Sequence, residues 1–480
     1  MRKKLYFIGI AGKGMGSAAG LMQQAGYEVE GSDMNLYPPM STMLEKLKIK
    51  VDTPYSVDNI SNSRADVFVV ANALSRGHVE LEYVLENDLP YTNFPQLIGQ
   101  EILSKRCSIV ISGTHGKTTT TSLLSHVLQK LGEDCGYLIG GIPLGQEHSF
   151  NLGKGETFVI EGDEYDTAFD DKEPKFFHYF PEFLIINNIE FDHADIFANV
   201  EQIYGKFKKL LSLVKNKKNI IANMSDAGVR RVIEESGLTE EVTSVYLDAG
   251  SSKKADFIMH KVDFDVAKSM WRGTLRTPEG FEKTLHTQLT GKHNLANIAM
   301  VAACVWRIKD RIPVLKSIDF QDFSNALEDF KGVTGRMNIL LETPTVKIIE
   351  DYAHHPTAVA LLLEMLKKQY PKERLVACFE PKNATSRRNI FIAEYVEAFG
   401  LADSVFFGAC PVDLRIPEPQ RMRIDELVQK IGDKASAFAT NLDLMRAVEG
   451  ELKKGGVFVF MSSSDFSGVA HKLAQSNKKQ

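Results

Sequence analysis

The chain is short of cysteine and carries no excess of positive charge, and each shortage narrows its chemistry. Its five cysteines (Cys107, Cys135, Cys304, Cys378 and Cys410) are an odd number scattered without C-x-x-C spacing. A disulfide framework and a cysteine zinc site are therefore excluded, and a reducing compartment fits. Against 57 Lys and Arg stand 62 Asp and Glu, a net charge of −5, so no basic field exists for a nucleic acid. No apolar run approaches the roughly 18 residues needed to span a bilayer. Leu5 to Ile10, behind Met1-Arg2-Lys3-Lys4, ends at a glycine cluster and is too short for a signal-peptide core. It reads as the first β-strand of a cytoplasmic protein. Internal repeats and low-complexity segments are also missing, and only residues 477–480 look frayed. What remains is an ordinary globular composition, 44% hydrophobic and 25% charged over 480 residues. That length holds two to four domains.

The most informative stretch is Ser112-Gly113-Thr114-His115-Gly116-Lys117-Thr118-Thr119-Thr120-Thr121. It lies between the strand-like Ser108–Ile111 and a segment with apolar residues at helical spacing, Leu123, Leu124, Val127, Leu128 and Leu131. Strand, glycine turn, Gly-Lys-Thr, helix is the layout that cradles a nucleoside triphosphate. N–H groups at the helix start bind phosphate oxygens, helped by the helix dipole. In this reading Gly113, Thr114, His115, Gly116 and Thr119 belong to the cradle, Lys117 reaches the β/γ-phosphates and the Thr118 hydroxyl serves Mg²⁺. The loop is the shorter G-x-x-G-K-T form, because Ile111 stands where a longer loop has its first glycine.

Three α/β blocks emerge: residues 1–105, 106–330 and 331–480. The first opens with a strand, Gly9-Ile-Ala-Gly12-Lys-Gly14-Met-Gly16-Ser17, a helix, and a second strand ending at Gly31-Ser32-Asp33. A βαβ unit with an acid about 20 positions after its glycines places a phosphate or nucleotide near the first turn. The second block carries the phosphate loop and two further strands, Thr157–Ile160 and Phe183–Ile186. The third alternates the strand-like runs 346–349, 375–379, 404–407 and 457–461 with helices such as 358–368, so it is read as another parallel α/β unit.

Two polar clusters come after strands of the second block, where open α/β sheets gather ligands. Glu161-Gly162-Asp163-Glu164-Tyr165-Asp166 packs four carboxylates into six positions. Glu161, at the strand end and expected two strands from the phosphate loop, is the preferred Mg²⁺ acid. The second cluster is Asn187-Asn188-Ile189-Glu190-Phe191-Asp192-His193-Ala194-Asp195. Because Mg²⁺ prefers oxygen, His193 taken alone reads as a core histidine.

The glycine-rich N-terminus, GTHGKTTT, EGDEYD, NNIEFDHAD, GKHNLAN, GR and DYAHHP occur in that order over essentially the whole chain. This set resembles the Mur ligase family, ATP-dependent amide-bond ligases of bacterial cell-wall synthesis. The resemblance implies a Rossmann-like UDP-sugar domain, a central P-loop ATPase domain and a Rossmann-like acceptor domain. It implies that Lys117, Glu161 and His193 are catalytic, with Thr118, Glu161 and His193 serving two Mg²⁺ sites. Asn297, Arg336, Asp351 and His354 would contact ATP, and Gly12, Gly14, Met15, Gly16 and Asp33 the UDP-sugar. Asn383, Arg387 and Arg388 would meet the acceptor.

Two stretches, 32–42 and 161–179, are similar to family members that join UDP-N-acetylmuramate to the tripeptide L-alanyl-γ-D-glutamyl-meso-diaminopimelate. An alanine-adding activity on the same sugar nucleotide is the alternative, and a catalytically inactive nucleotide-regulated binding protein is the alternative of another class. A third rival is a P-loop kinase or NTPase, which leaves the N-terminal glycine turn without a role. The lysine that several members carbamylate falls in register on Phe207, between Lys206 and Lys208, so that modification is not expected. A monomer or weak dimer is expected.

Overall fold

Short apolar strands, each running into glycine or a polar cluster, build three sheets in the computed structural model, which describes residues 2–248, 255–265, 268 and 270–478. The first sheet contains β1 (Lys4–Ile8), β2 (Glu28–Ser32), β3 (Lys50–Asp52), β4 (Val67–Val70) and β5 (Tyr91–Asn93). All pairs are parallel, in the order β3-β2-β1-β4-β5. The order reverses between β1 and β4, a crevice suited to ligands, and the glycine turn leaves β1 there.

The second sheet is larger than the sequence predicts. Its parallel body holds β6 (Cys107–Ser112), β7 (Gly136–Leu138), β9 (Thr157–Gly162), β10 (Phe183–Ile186), β11 (Ile220–Asn223) and β12 (Thr243–Leu247). At one edge β8 (Phe150–Asn151) pairs antiparallel with β7. At the other, β13 (Phe257–Asp265) pairs parallel with β12, and β14 (Met270–Arg276) and β15 (Glu282–Thr287) continue antiparallel. The sheet order is β15-β14-β13-β12-β11-β10-β6-β9-β7-β8. The strand β9 therefore lies directly beside β6, with Ile111 opposite Glu161, not two strands away as expected. The helix Lys292–Ile308 is buried along most of its length behind this sheet. A further helix, Phe320–Glu328, comes after it.

The third sheet holds β16 (Asn338–Glu342), β17 (Val346–Asp351), β18 (Leu375–Glu380), β19 (Ser404–Phe407), β20 (Ala435–Ala437) and β21 (Gly456–Ser462). It is parallel apart from the edge strand β16, in the order β16-β17-β21-β18-β19-β20. The last helix, Val469–Asn477, includes Asn477, which the sequence predicts to fray; residues 479 and 480 lie outside the described residues.

The cores bury the strands' apolar faces, and polar contacts join the units. Ser17 Oγ meets Ser149 Oγ at 2.8 Å in a buried contact between the first and second units. Across the other boundary, Thr357 Oγ1 donates to Glu190 Oε2 at 2.7 Å and Ala194 N to Thr385 Oγ1 at 3.3 Å. Among the described residues no helix is long and apolar enough to cross a membrane.

Candidate active site

The phosphate loop takes its shape from two left-handed glycines and an asparagine brace. Gly113 and Gly116 have φ of +133° and +82°, a region that a side chain disfavours. A Cβ on Gly116 would also stand 3.1 Å from Asn187 Nδ2. Asn188, two residues beyond β10, accepts from His115 N at 2.7 Å and donates to His115 O at 3.1 Å. Its carbonyl accepts from Thr114 N at 3.0 Å. The loop then runs into the helix Lys117–Lys130, whose first turn leaves N–H groups free for anions. Asn297, buried on its helix, donates to Asn294 Oδ1 at 3.0 Å and lies against Gly116.

Two acidic pairs face this loop from the end of β9. Thr118 Oγ1 donates to Glu161 Oε2 at 3.2 Å, and Gly140 N to Glu161 Oε1 at 2.6 Å. Burial pushes the Glu161 carboxyl up, against its hydrogen bond from Gly140 and the charge of Lys117. Glu164, which sequence reasoning passes over in favour of Glu161, is the more connected acid. Its carboxylate lies 2.8 Å from Lys117 Nζ and 3.0 Å from His193 Nε2. Burial opposes charge on all three, yet the ion pair and hydrogen bond hold Glu164 low and raise Lys117 and His193. Asp163, bound to Lys175 at 2.6 Å, is held well below the usual carboxylate range despite its burial. In sequence the four carboxylates look alike; the loop after β9 decides which turn inward.

His193 sits at φ +57°, its ring tilted 58° against the Tyr165 ring with centroids 4.1 Å apart. Its Nδ1 is buried with no hydrogen-bond partner among the described residues. Asp163, Glu164 and His193 present ligand atoms within 4.8 Å of one another. An imidazole nitrogen, Nε2, set against Glu164 with Asp163 close by fits a divalent cation, and the Thr118–Glu161 pair offers the oxygen donors Mg²⁺ prefers. Among the described residues, His193 is thus grouped with Glu164 and Asp163, not with Glu161.

The third unit reaches this cleft through the segment after β17. His354 Nε2 lies 3.9 Å from Asp192, and burial pushes the ring down to about 4. Arg336 spreads its guanidinium over the Tyr352 ring at 4.6 Å. Asp351, expected to face the nucleotide, has its oxygens engaged by Met337 N at 2.8 Å and Ala353 N at 2.7 Å. It braces the loop that carries Arg336 and His354. His355, not nominated from sequence, is buried and contacts both Phe191 O and the Glu190 carboxylate.

The other nominated residues lie elsewhere. Gly12, Gly14, Met15 and Gly16 form the turn and first helical residues after β1, and Asp33 Oδ2 accepts from Ala11 N at 2.9 Å to hold that turn. Nearby, the buried Glu80 accepts from Ser32 Oγ, from Ser56 N at 2.9 Å and from Asn59 Nδ2 at 2.8 Å, a brace the sequence does not announce. Asn383 spends its oxygen on Ser386 N at 2.8 Å. Arg387 pairs with Asp413 at 2.9 Å, and Arg388 donates to Gln420 at 3.2 Å. Both keep a buried Nε without a hydrogen-bond partner among the described residues. Phe207 is buried 5.7 Å from Phe176, while Lys206 pairs with Glu173 and Lys208 with Glu235.

A phosphate loop with an adjacent acid-histidine cluster, closed over by a third α/β unit, is the arrangement that three family descriptions match in turn. Residues 4–106 match "Mur ligase family, catalytic domain", residues 111–305 "Mur ligase middle domain" and residues 335–464 "Mur ligase, glutamate ligase domain". The UDP-N-acetylmuramate–L-alanyl-γ-D-glutamyl-meso-2,6-diaminoheptandioate ligase of Escherichia coli is 32% identical over 98% of this chain and 97% of its own. The chain belongs to the Mur ligase family. This Mur ligase is also 30% identical to the UDP-N-acetylmuramate–L-alanine ligase of Streptococcus mutans, over 97% of this chain and 94% of the relative. Among solved structures it is similar to a murein peptide ligase from Psychrobacter arcticus, with a TM-score of 0.72, 28% identity, and 99% and 98% of the two chains covered. As a Mur ligase it is an ATP-dependent, ADP-forming enzyme.

Proposed function

We propose that this Mur ligase joins UDP-N-acetylmuramate to L-alanyl-γ-D-glutamyl-meso-diaminopimelate in cytoplasmic peptidoglycan recycling. In this reading residues 1–105 hold the sugar nucleotide, 106–330 hold MgATP and 331–480 receive the peptide. The observation that carries it is the convergence of Lys117, Glu161, Glu164, His193 and His354 on one cleft between the second and third units.

A carboxylate and an amine do not condense at neutral pH without activation. The lactoyl carboxylate of the sugar attacks the γ-phosphorus, forming an acyl phosphate as the bond to ADP breaks. The peptide's α-amine then attacks the acyl carbon, and inorganic phosphate leaves. Lys117 offsets the phosphate charge once it exchanges Glu164 for the nucleotide. Thr118 and Glu161 would hold one Mg²⁺, and Glu164, Asp163 and His193 a second; such ions neutralise phosphate charge. Arg336 and His354 complete the site from the third unit, so its closure excludes water from the acyl phosphate. Arg387 and Arg388, with Thr385 against the His193 loop, offer guanidinium groups to peptide carboxylates.

The test is phosphate release with each substrate withheld in turn. Release only when UDP-N-acetylmuramate, MgATP and an amine are all present supports a ligase. Steady release from ATP alone supports an NTPase.

A further inference from the structure

The histidine of the phosphate loop belongs to a second cluster, distinct from the one around His193. His115 Nε2 lies 3.3 Å from Glu190 Oε2, and His355 Nδ1 lies 3.5 Å from the same oxygen. The three ligand atoms are all within 4.8 Å of one another. Two of the residues come from the second unit and one from the third.

His355 Nε2 sits 3.2 Å from the Phe191 carbonyl oxygen. A carbonyl only accepts, so Nε2 carries a proton; Nδ1 accepts from the Thr357 N–H and so carries none, which leaves the ring neutral with the Nδ1 lone pair on the side of the carboxylate. Two lone pairs then face each other, and among the described residues the one donor to Nδ1 is the Thr357 N–H at 3.4 Å. A metal-bound imidazole usually donates from its other nitrogen to a backbone carbonyl or carboxylate in this way, which fixes the tautomer that binds. Glu190 is fixed in turn by Thr357 Oγ1 at 2.7 Å and through its own amide by Thr114 Oγ1 at 2.9 Å.

The spacing selects the ion. Atoms about 2.0–2.1 Å from a tetrahedral centre stand about 3.3–3.4 Å apart, close to the two separations found here. An octahedral Mg²⁺ at the same bond length needs atoms about 2.9 Å apart and prefers oxygen. Two imidazoles and one carboxylate are a donor set for zinc and its neighbours. We propose that His115, Glu190 and His355 form a binding site for a zinc-class divalent cation that ties the third unit to the phosphate loop. An ion there favours the closed arrangement and slows the opening that releases products.

The test titrates Zn²⁺ alone, by calorimetry, into the full chain carrying His193→Ala, which disables the other cluster. One saturable equivalent is expected, weakened at least tenfold when His355→Ala or Glu190→Gln is added. Zn²⁺ should raise the melting temperature of the single variant and not of the doubles; the near-isosteric Glu190→Gln guards against a variant that misfolds. Co²⁺ in the single variant should give the intense visible absorption of tetrahedral coordination. Equal affinity in all three proteins, no saturable binding, or a weak octahedral cobalt spectrum would each overturn the proposal.

Discussion

Lys117 is the pivotal residue of the cleft, because its charge is contested. Burial opposes the ammonium, and Glu164 at 2.8 Å restores it. Lys117→Ala should abolish ligation while leaving UDP-N-acetylmuramate binding within a few-fold of the parent, since the glycine turn after β1 belongs to a different sheet. Calorimetric titration of the folded variant with the sugar nucleotide checks this; loss of sugar binding would contradict the separate sites. His193→Ala should lower turnover by roughly 10²–10³, on the order of one lost electrostatic contact to developing charge, with partial recovery at raised Mg²⁺. A variant that only melts earlier, with turnover intact per folded molecule, would return His193 to the core. The placement of Lys117 and Thr118 at the start of a helix behind a glycine turn was legible in the sequence, because strand, glycines and Gly-Lys-Thr mark that local geometry. Glu164 was not, because four neighbouring carboxylates differ only in the direction their loop turns.

At the scale of the element, the phosphate loop is held from outside by the segment that follows β10. Asn188 satisfies both the N–H and the carbonyl of His115. Asn188→Ala leaves two part-buried backbone groups unmet, each costing about 1–3 kcal/mol. The ATP dissociation constant should rise at least tenfold with sugar binding unchanged, measured by titration with a non-hydrolysable ATP analogue. An unchanged ATP affinity would show that the loop holds its own shape. The loop and its helix were readable from period and glycine spacing. The adjacency of β9 to β6 was not, because strand order is set by long-range packing that no local pattern encodes. The antiparallel strands β13–β15 were missed for the same reason: they extend a parallel sheet at its edge, where nothing in the neighbouring sequence requires them.

At the scale of the whole molecule, three α/β units pack together, and buried histidines lie among their contacts. Burial pushes His293, His354 and His355 each down to about 4. They stay neutral in the folded chain, while an unfolded histidine takes a proton near about 6.5. The unfolded state therefore binds more protons between about pH 6.5 and 4, and stability falls as pH drops through that window. Above it these groups add no slope. Melting curves across the window should show the fall, and His354→Gln should make it shallower; an unchanged slope would mean that His354 is not buried neutral. The three-unit plan was legible because ordered motifs run along the whole chain. The acceptor surface was less so: Asn383 caps its own loop, and Arg387 is paired with Asp413.

The acceptor decides what kind of Mur ligase this is. A tripeptide brings several carboxylates that can be bound far from the reacting amine, and that remote binding positions the amine as free alanine cannot. The decisive measurement is kcat/KM for L-alanyl-γ-D-glutamyl-meso-diaminopimelate and for L-alanine, each with UDP-N-acetylmuramate and MgATP. The expected ratio is roughly 100 or more in favour of the tripeptide, about 2.7 kcal/mol of transition-state binding. Equal or better use of free L-alanine would contradict the peptide acceptor and make the chain an alanine-adding ligase.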